Sequence, residues 1–177
     1  MRRRAGRRVI LIARATIVAY LAGAYAAASA SAQAGPNPTI AVGQRGRSAA
    51  VQTLDGKPLD LARYVGHGAA VLEFWGKWCG NCRALEPALT AARRRFGDRV
   101  TFVTIAVSVD QTPAEVAQYA REHDFPPDVV FDATGAAVDA YGAPGTSFVV
   151  ILDHSGTVVY VGAGGDQDVA KAIARAL

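Results

Sequence analysis

The stretch "VLEFWGKWCGNCRALEPAL" runs from Val71 to Leu89 and holds both cysteines of a 177-residue chain, Cys79 and Cys82. An apolar run of β character, "AAVLEFWG" (Ala69–Gly76), precedes the pair. A helical pattern follows from about Asn81 to Phe96, with Ala84, Leu85, Ala88, Leu89 and Ala92 marking its apolar face. Pro87 falls inside that pattern and is expected to kink it, because proline removes a backbone donor. The pair therefore sits where a strand ends and a helix begins. At that point free N–H groups and the positive end of the helix dipole stabilise a thiolate at Cys79, and the thiolate is the nucleophile. Cys82, one turn into the helix, is placed to attack a mixed disulfide formed at Cys79 and release the partner reduced.

Other uses of two cysteines at this spacing fit less well. A bridge between residues i and i+3 closes a very small loop and constrains the unfolded chain little, so it is a poor structural staple. Covalent haem attachment needs a histidine where Arg83 stands. Structural zinc needs two further ligands, and His67, His123 and His154 form no second paired motif. The peroxiredoxin pattern wants a threonine three residues before its reactive cysteine, and Gly76 is there.

Outward from this centre the chain alternates strands and helices. On the N-terminal side "AVQTLDGKPLDLARYVG" offers a short strand, a turn at Asp55-Gly56 and a brief helical segment. On the other side come a buried strand at Arg99–Val109 and a helix reaching about His123, opened by a capping box at Thr112–Glu115 with Pro113 first in the helix. A short strand, "DVVFD", and a short helix, "TGAAVDAY", follow. Two strands then flank the hairpin signal His154-Ser155-Gly156, and "DQDVAKAIARAL" closes the chain as a helix. From Ala69 the order is β-α-β-α-β-α-β-β-α, which predicts an α/β sandwich around a mixed sheet.

Charge divides the chain in two. Arg2, Arg3, Arg4, Arg7, Arg8 and Arg14 lie in the first 32 residues with no acid among them. From Gln33 onward 13 basic residues face 15 acidic ones, a net of −2, so the basic pI says nothing of a nucleic-acid partner. The arginine-rich start, the uncharged run "ATIVAYLAGAYAA" (Ala15–Ala27) and the small residues after it are ordered as a secretory signal, with an A-x-A site at Ala30-Ser31-Ala32. The competing use is an uncleaved anchor drawn from residues 9–30, although the run is short for a span of about 20 residues. Residues 1–32 are thus expected to be a signal peptide or membrane anchor, 33–46 a Pro/Gly-rich linker, and 47–177 the folded domain. Export places the cysteines where disulfides persist.

Glu73 interrupts the apolar strand six residues before Cys79. A buried carboxylate costs free energy unless it is partnered or protonated. Either it points to solvent at a sheet edge, or it lies beneath the cysteine pair with a raised pKa and exchanges a proton with Cys82.

The quoted stretch resembles the active-site segment of the thioredoxin superfamily, and within it the exported TlpA/ResA-like thiol–disulfide oxidoreductases. Their pattern F-W-x-x-W-C-x-x-C, with a proline a few residues later, is met by Phe74, Trp75, Trp78, Cys79, Cys82 and Pro87. Glu73 stands where the superfamily commonly keeps a buried acid. The likeness extends from about Arg47 to Leu177 and implies a thioredoxin-like three-layer sandwich, a central mixed sheet flanked by helices. "YGAPGTSFVVILDHSG" matches a later family segment with one departure: Ser147 occupies the family's cis-proline position, and the Thr146–Ser147 bond is expected to be trans. The resemblance implies a client groove formed by Trp78, Gly80, Asn81, Thr146 and Ser147, with Gly80-Asn81 tuning the redox potential.

The expected function is an exported thiol–disulfide oxidoreductase that reduces protein disulfides, with Cys79, Cys82 and Glu73 as its chemical residues. Its redox group is the Cys79–Cys82 disulfide, with no further cofactor and no metal. Resembling proteins serve periplasmic redox balance or cytochrome c maturation and draw electrons from a membrane thiol carrier. The rival is a thioredoxin-fold binding module that holds a metal or a client at the cysteine pair.

Overall fold

The structure, a computed structural model, describes residues 37–177. The expected signal or anchor at 1–32 lies outside the described residues. Seven strands form one mixed sheet: β1 (Ala50–Thr53), β2 (Pro58–Asp60), β3 (Ala69–Trp75), β4 (Val100–Val107), β5 (Asp128–Asp132), β6 (Phe148–Leu152) and β7 (Val158–Ala163). Their order across the sheet is β2-β1-β5-β4-β3-β6-β7. The β3, β4 and β5 strands run parallel; β6 pairs antiparallel with β3, and β1 antiparallel with β5. Four helices complete the fold: α1 (Gly80–Phe96), α2 (Pro113–Glu122), α3 (Ala136–Tyr141) and α4 (Val169–Ile173). The α/β class and the helix-flanked mixed sheet are those expected.

Every residue of β3 is buried, because the strand lies inside the sheet with cover on both faces. Side chains alternate along it. Leu72 and Phe74 join Ile105, Val150, Tyr141 and Leu61 in one core. Val71 joins Leu85, Phe96, Val149, Ile151 and Ile173 in the other, under α1 and α4. At the carboxyl end of the strand Trp75 belongs to a third cluster with Cys79, Cys82, Val116 and Phe131. The cysteine pair is thus anchored at its base by apolar packing.

The capping box forms as expected: Thr112 Oγ1 accepts from the Glu115 amide at 3.3 Å, and Glu115 accepts from the Thr112 amide at 2.8 Å. Helix α1 runs without a break through Pro87. The proline side chain is exposed, so the Arg83 carbonyl that loses its partner faces water, which can bond it. After the expected turn at Asp55-Gly56 the chain forms an edge strand, β2, that was not expected; it begins at Pro58, and proline is tolerated there because an edge leaves one row of N–H groups unpaired. The Pro/Gly-rich stretch expected as a linker contributes Ile40, only 1% exposed, to the first core. The amides of Gly43 and Gly46 donate to the carbonyls of Val158 and Gly156.

Candidate active site at the start of helix α1

Cys79 is the N-cap of α1, and its Sγ accepts a hydrogen bond from the Cys82 amide at 3.0 Å. The two cysteines are joined as a disulfide, Cα to Cα 5.2 Å. Cys82 is fully enclosed and Cys79 nearly so. A donor aimed at Sγ from the positive end of a 17-residue helix favours the thiolate over the thiol whenever the pair opens.

The approach to the pair is tied down residue by residue. The Cys79 amide donates to the Gly76 carbonyl at 2.9 Å. Gly76 is held small by its neighbour, since a Cβ there would come within 3.0 Å of the Trp78 ring. Trp78 stands 46% exposed beside the cysteines, its indole N–H donating to the Val109 carbonyl at 2.8 Å. Gln111, buried in the loop after β4, accepts from the Lys77 amide at 2.8 Å and donates to the Val107 carbonyl. Lys77 also pairs with Glu115 on α2. Gly80 and Asn81 are exposed at the first turn of α1.

Ser147 is completely buried, and its backbone lies in the left-handed region at φ 58°. The described residues contain no cis peptide bond, so Thr146–Ser147 is trans as expected. All the polar groups of Ser147 are engaged. Its amide donates to the Phe74 carbonyl at 2.7 Å, and its Oγ donates to the Gly164 carbonyl at 2.9 Å. Its carbonyl accepts from the Gly164 amide and from Gln167 Nε2, each at 3.1 Å. The same β7–α4 loop rests on the start of α1, where a Cβ on Gly165 would meet Ala84 Cβ at 2.7 Å and the Asn81 carbonyl at 3.1 Å. Through Gly164 and Gly165 the structure therefore joins Ser147 to Asn81.

Glu73 is not at a sheet edge: β3 lies between β4 and β6, and the side chain is 6% exposed. Its Oε1 has no hydrogen-bond partner among the described residues. Burial, and next the charge of Glu86, push its pKa up to about 8. At neutral pH the carboxyl is therefore mostly protonated.

Sequence reasoning missed Gln111, Gly164, Gly165 and Gln167. In sequence the two glutamines look like any polar loop residue. Only the glycine pair before the last helix carried a signal of close backbone approach. His67, His123 and His154 are all exposed, and among the described residues no three His, Cys, Asp or Glu side chains gather as a metal site.

Comparison with known proteins gives this geometry a context. Residues 42–161 match the AhpC/TSA family. The chain is similar to the thiol-disulfide oxidoreductase ResA of Bacillus thuringiensis subsp. konkukian, 25% identical over 118 residues that cover 67% of each protein. It is 26% identical to the thioredoxin-like protein YneN of Bacillus subtilis over 126 residues, 70% of this chain and 73% of that one. Among solved structures, a secreted Mycobacterium tuberculosis disulfide oxidoreductase homologous to Escherichia coli DsbE superposes with a TM-score of 0.60. That protein is 28% identical, with 71% of this chain and 94% of that chain covered.

Proposed function

The chain belongs to the AhpC/TSA family, with a thioredoxin-like fold and the cysteine pair of a thiol–disulfide oxidoreductase, and we propose that it reduces protein disulfides outside the cytoplasm. The observation that carries this is the Cys82 amide donating to Cys79 Sγ at the N-cap of α1. Cys79 thiolate attacks a client disulfide; one client sulfur leaves as thiolate and the other is held in a mixed disulfide with Cys79. Where Glu73 is ionised, Cys82 passes its proton to that carboxylate, and the Cys82 thiolate displaces the client from Cys79. Two electrons have moved from the pair to the client, and the Cys79–Cys82 bond has re-formed. Trp78, Gly80, Asn81 and Thr146 form the client groove, and the buried Ser147 holds the turn beneath it. The disulfide is the sole redox group, with no further cofactor or metal.

Reoxidised protein needs a dithiol donor, and we assign this to a membrane thiol carrier. Export is supported by the order of charge, apolar run and small residues in 1–32, and by the likeness to a secreted M. tuberculosis disulfide oxidoreductase. Among the described residues no helix is long and apolar enough to cross a membrane, so membrane attachment would fall to residues 9–30. The test is insulin reduction together with the equilibrium potential of the pair against glutathione. Turnover and a potential close to or below that of glutathione are expected. A potential near about −120 mV, that of a strong oxidant, would reverse the assigned direction. Retention of a metal or client without turnover would favour the binding module instead.

A further inference from the structure

Behind α1 lies a cavity of about 30 Å³ lined by Glu73, Glu86, Thr90, Arg93 and Thr104 among others. It has room for about two water molecules at roughly 10–15 Å³ each. Glu73, more than nine-tenths buried and with its Oε1 unpartnered among the described residues, lines its inner wall. Glu86 and Thr90 form a shared wall, since both also line a much wider groove on the outer side of α1. Glu86 is one turn beyond Cys82 on the same helix face and about three-quarters covered. It is held in place from α2: the Tyr119 hydroxyl donates to its Oε2 at 3.4 Å, and His123 Nδ1 lies 3.4 Å from its Oε1. The ring of His123 stacks flat on Tyr119 at 3.8 Å. A buried acid and a partly covered acid thus line one small cavity whose remaining wall is largely apolar, with Val71, Leu89 and Phe102 in it, and the outer acid is clamped.

The geometry points to Glu86 as the outlet through which Glu73 exchanges its proton with solvent. This rests on the proposed role of Glu73 and adds the residue that connects it to bulk water. When the pair closes, Glu73 that has given its proton up through the outlet is the acceptor: the Cys82 S–H bond breaks and an O–H forms on the Glu73 carboxylate. That O–H then breaks, its proton passes to water in the cavity, and a proton of the water passes to a Glu86 oxygen. Glu86 releases it to solvent in the outer groove. The reverse order reloads Glu73 when the pair opens. No electron moves in this relay; the electrons pass only between the cysteines and the client disulfide or the donor dithiol. Glu86 touches no reacting atom and is a positioning residue. The charged and titratable groups facing the route are Glu86 and Arg93 from α1, Tyr119 and His123 at the end of α2, Asp124 after it, and Arg83, Arg94 and Arg95 of α1 around the outer groove. Arg93 and Asp124 are paired at 2.8 Å and largely offset each other.

The experiment is rapid mixing of the oxidised protein with dithiothreitol across about pH 5 to 9, with and without added imidazole buffer. Glu86→Gln keeps the shape and an acceptor for Tyr119 but cannot relay a proton. It should slow reduction about tenfold, recover in part with imidazole, and move the midpoint of the pH profile downward, because Glu73 loses a like-charged neighbour. Glu86→Asp should restore much of the rate. Thr90→Val changes the shared wall without touching charge, so it should slow the reaction and leave the midpoint in place; it decides the matter if Glu86→Gln does not fold. Wild-type rate and midpoint in Glu86→Gln, with Glu73→Gln slowed, would overturn the outlet and leave the role of Glu73 standing. Wild-type behaviour in Glu73→Gln would remove both.

Discussion

Two turns converge on the carboxyl end of β3, and they are built on different principles. The turn into α1 is assembled from local rules: an N-cap, a helix, an apolar stripe and a glycine beside a tryptophan. The turn into β6 is held from afar. Ser147 sits in a left-handed conformation because Phe74, Gly164 and Gln167, 73 to 17 residues away in the chain, satisfy all its polar groups. Changes in the first turn should therefore remove chemistry and leave the fold, whereas changes in the second should remove stability.

The largest effects belong to the first turn. Cys79→Ser should abolish insulin reduction with little change in unfolding midpoint, since serine also caps helices well. Retained turnover would remove Cys79 from the nucleophile's place. Glu73→Gln sharpens the contrast from underneath. With its pKa raised from 4.5 to about 8, folded Glu73 holds its proton through a window in which the unfolded chain has lost it. Stability is therefore undiminished below about pH 4.5 and falls as pH rises from there to about 8. Glu73→Gln should be more stable than the parent at neutral pH, on the order of a few kcal/mol, and should lose that part of the pH dependence. Denaturant curves at pH 4 and pH 8 would show it. A variant with the parent's pH dependence would mean that Glu73 is ionised in the fold.

The second turn should respond in the opposite sense. Ser147→Pro restores the residue the family pattern carries, yet proline holds φ near −65° and has no N–H for the Phe74 carbonyl. It should cost about 3 kcal/mol unless the turn rebuilds, which amide chemical shifts of Gly164 and Gln167 would reveal. Ser147→Ala should cost about 1 kcal/mol for the lost bond to Gly164. Thr112→Ala at the capping box of α2 should cost a similar amount, about 1 kcal/mol, and leave the kinetics of the pair alone. Equal losses from Ser147→Pro and Thr112→Ala would erase the distinction between the turns.

The same contrast explains what was legible in the sequence. Helix α1, the capping box and the buried strands follow from periodicity and caps, which are properties of adjacent residues. The position of Cys79 at a helix start followed from the same signals. Gln111 and Gln167 did not, because a loop glutamine becomes structural only through partners the sequence does not place beside it. For the same reason Ser147 was recognisable as a departure from a pattern, while the three segments that hold it were not. Pro87 was expected to kink α1 by a general rule, and its exposure explains why the helix runs on: a carbonyl facing water tolerates a lost partner. Glu73 stood out as an acid in an apolar run, but only the sheet order showed that it could not reach an edge.

The division of labour between the two cysteines is tested most directly by trapping. Cys79→Ser and Cys82→Ser proteins would each be incubated with a disulfide-bonded client such as insulin, and the adducts weighed by mass spectrometry. Cys82→Ser should accumulate a mixed disulfide through Cys79, and Cys79→Ser should accumulate none. Equal trapping in the two variants, or trapping through Cys82 alone, would contradict the assignment of the nucleophile to the helix cap.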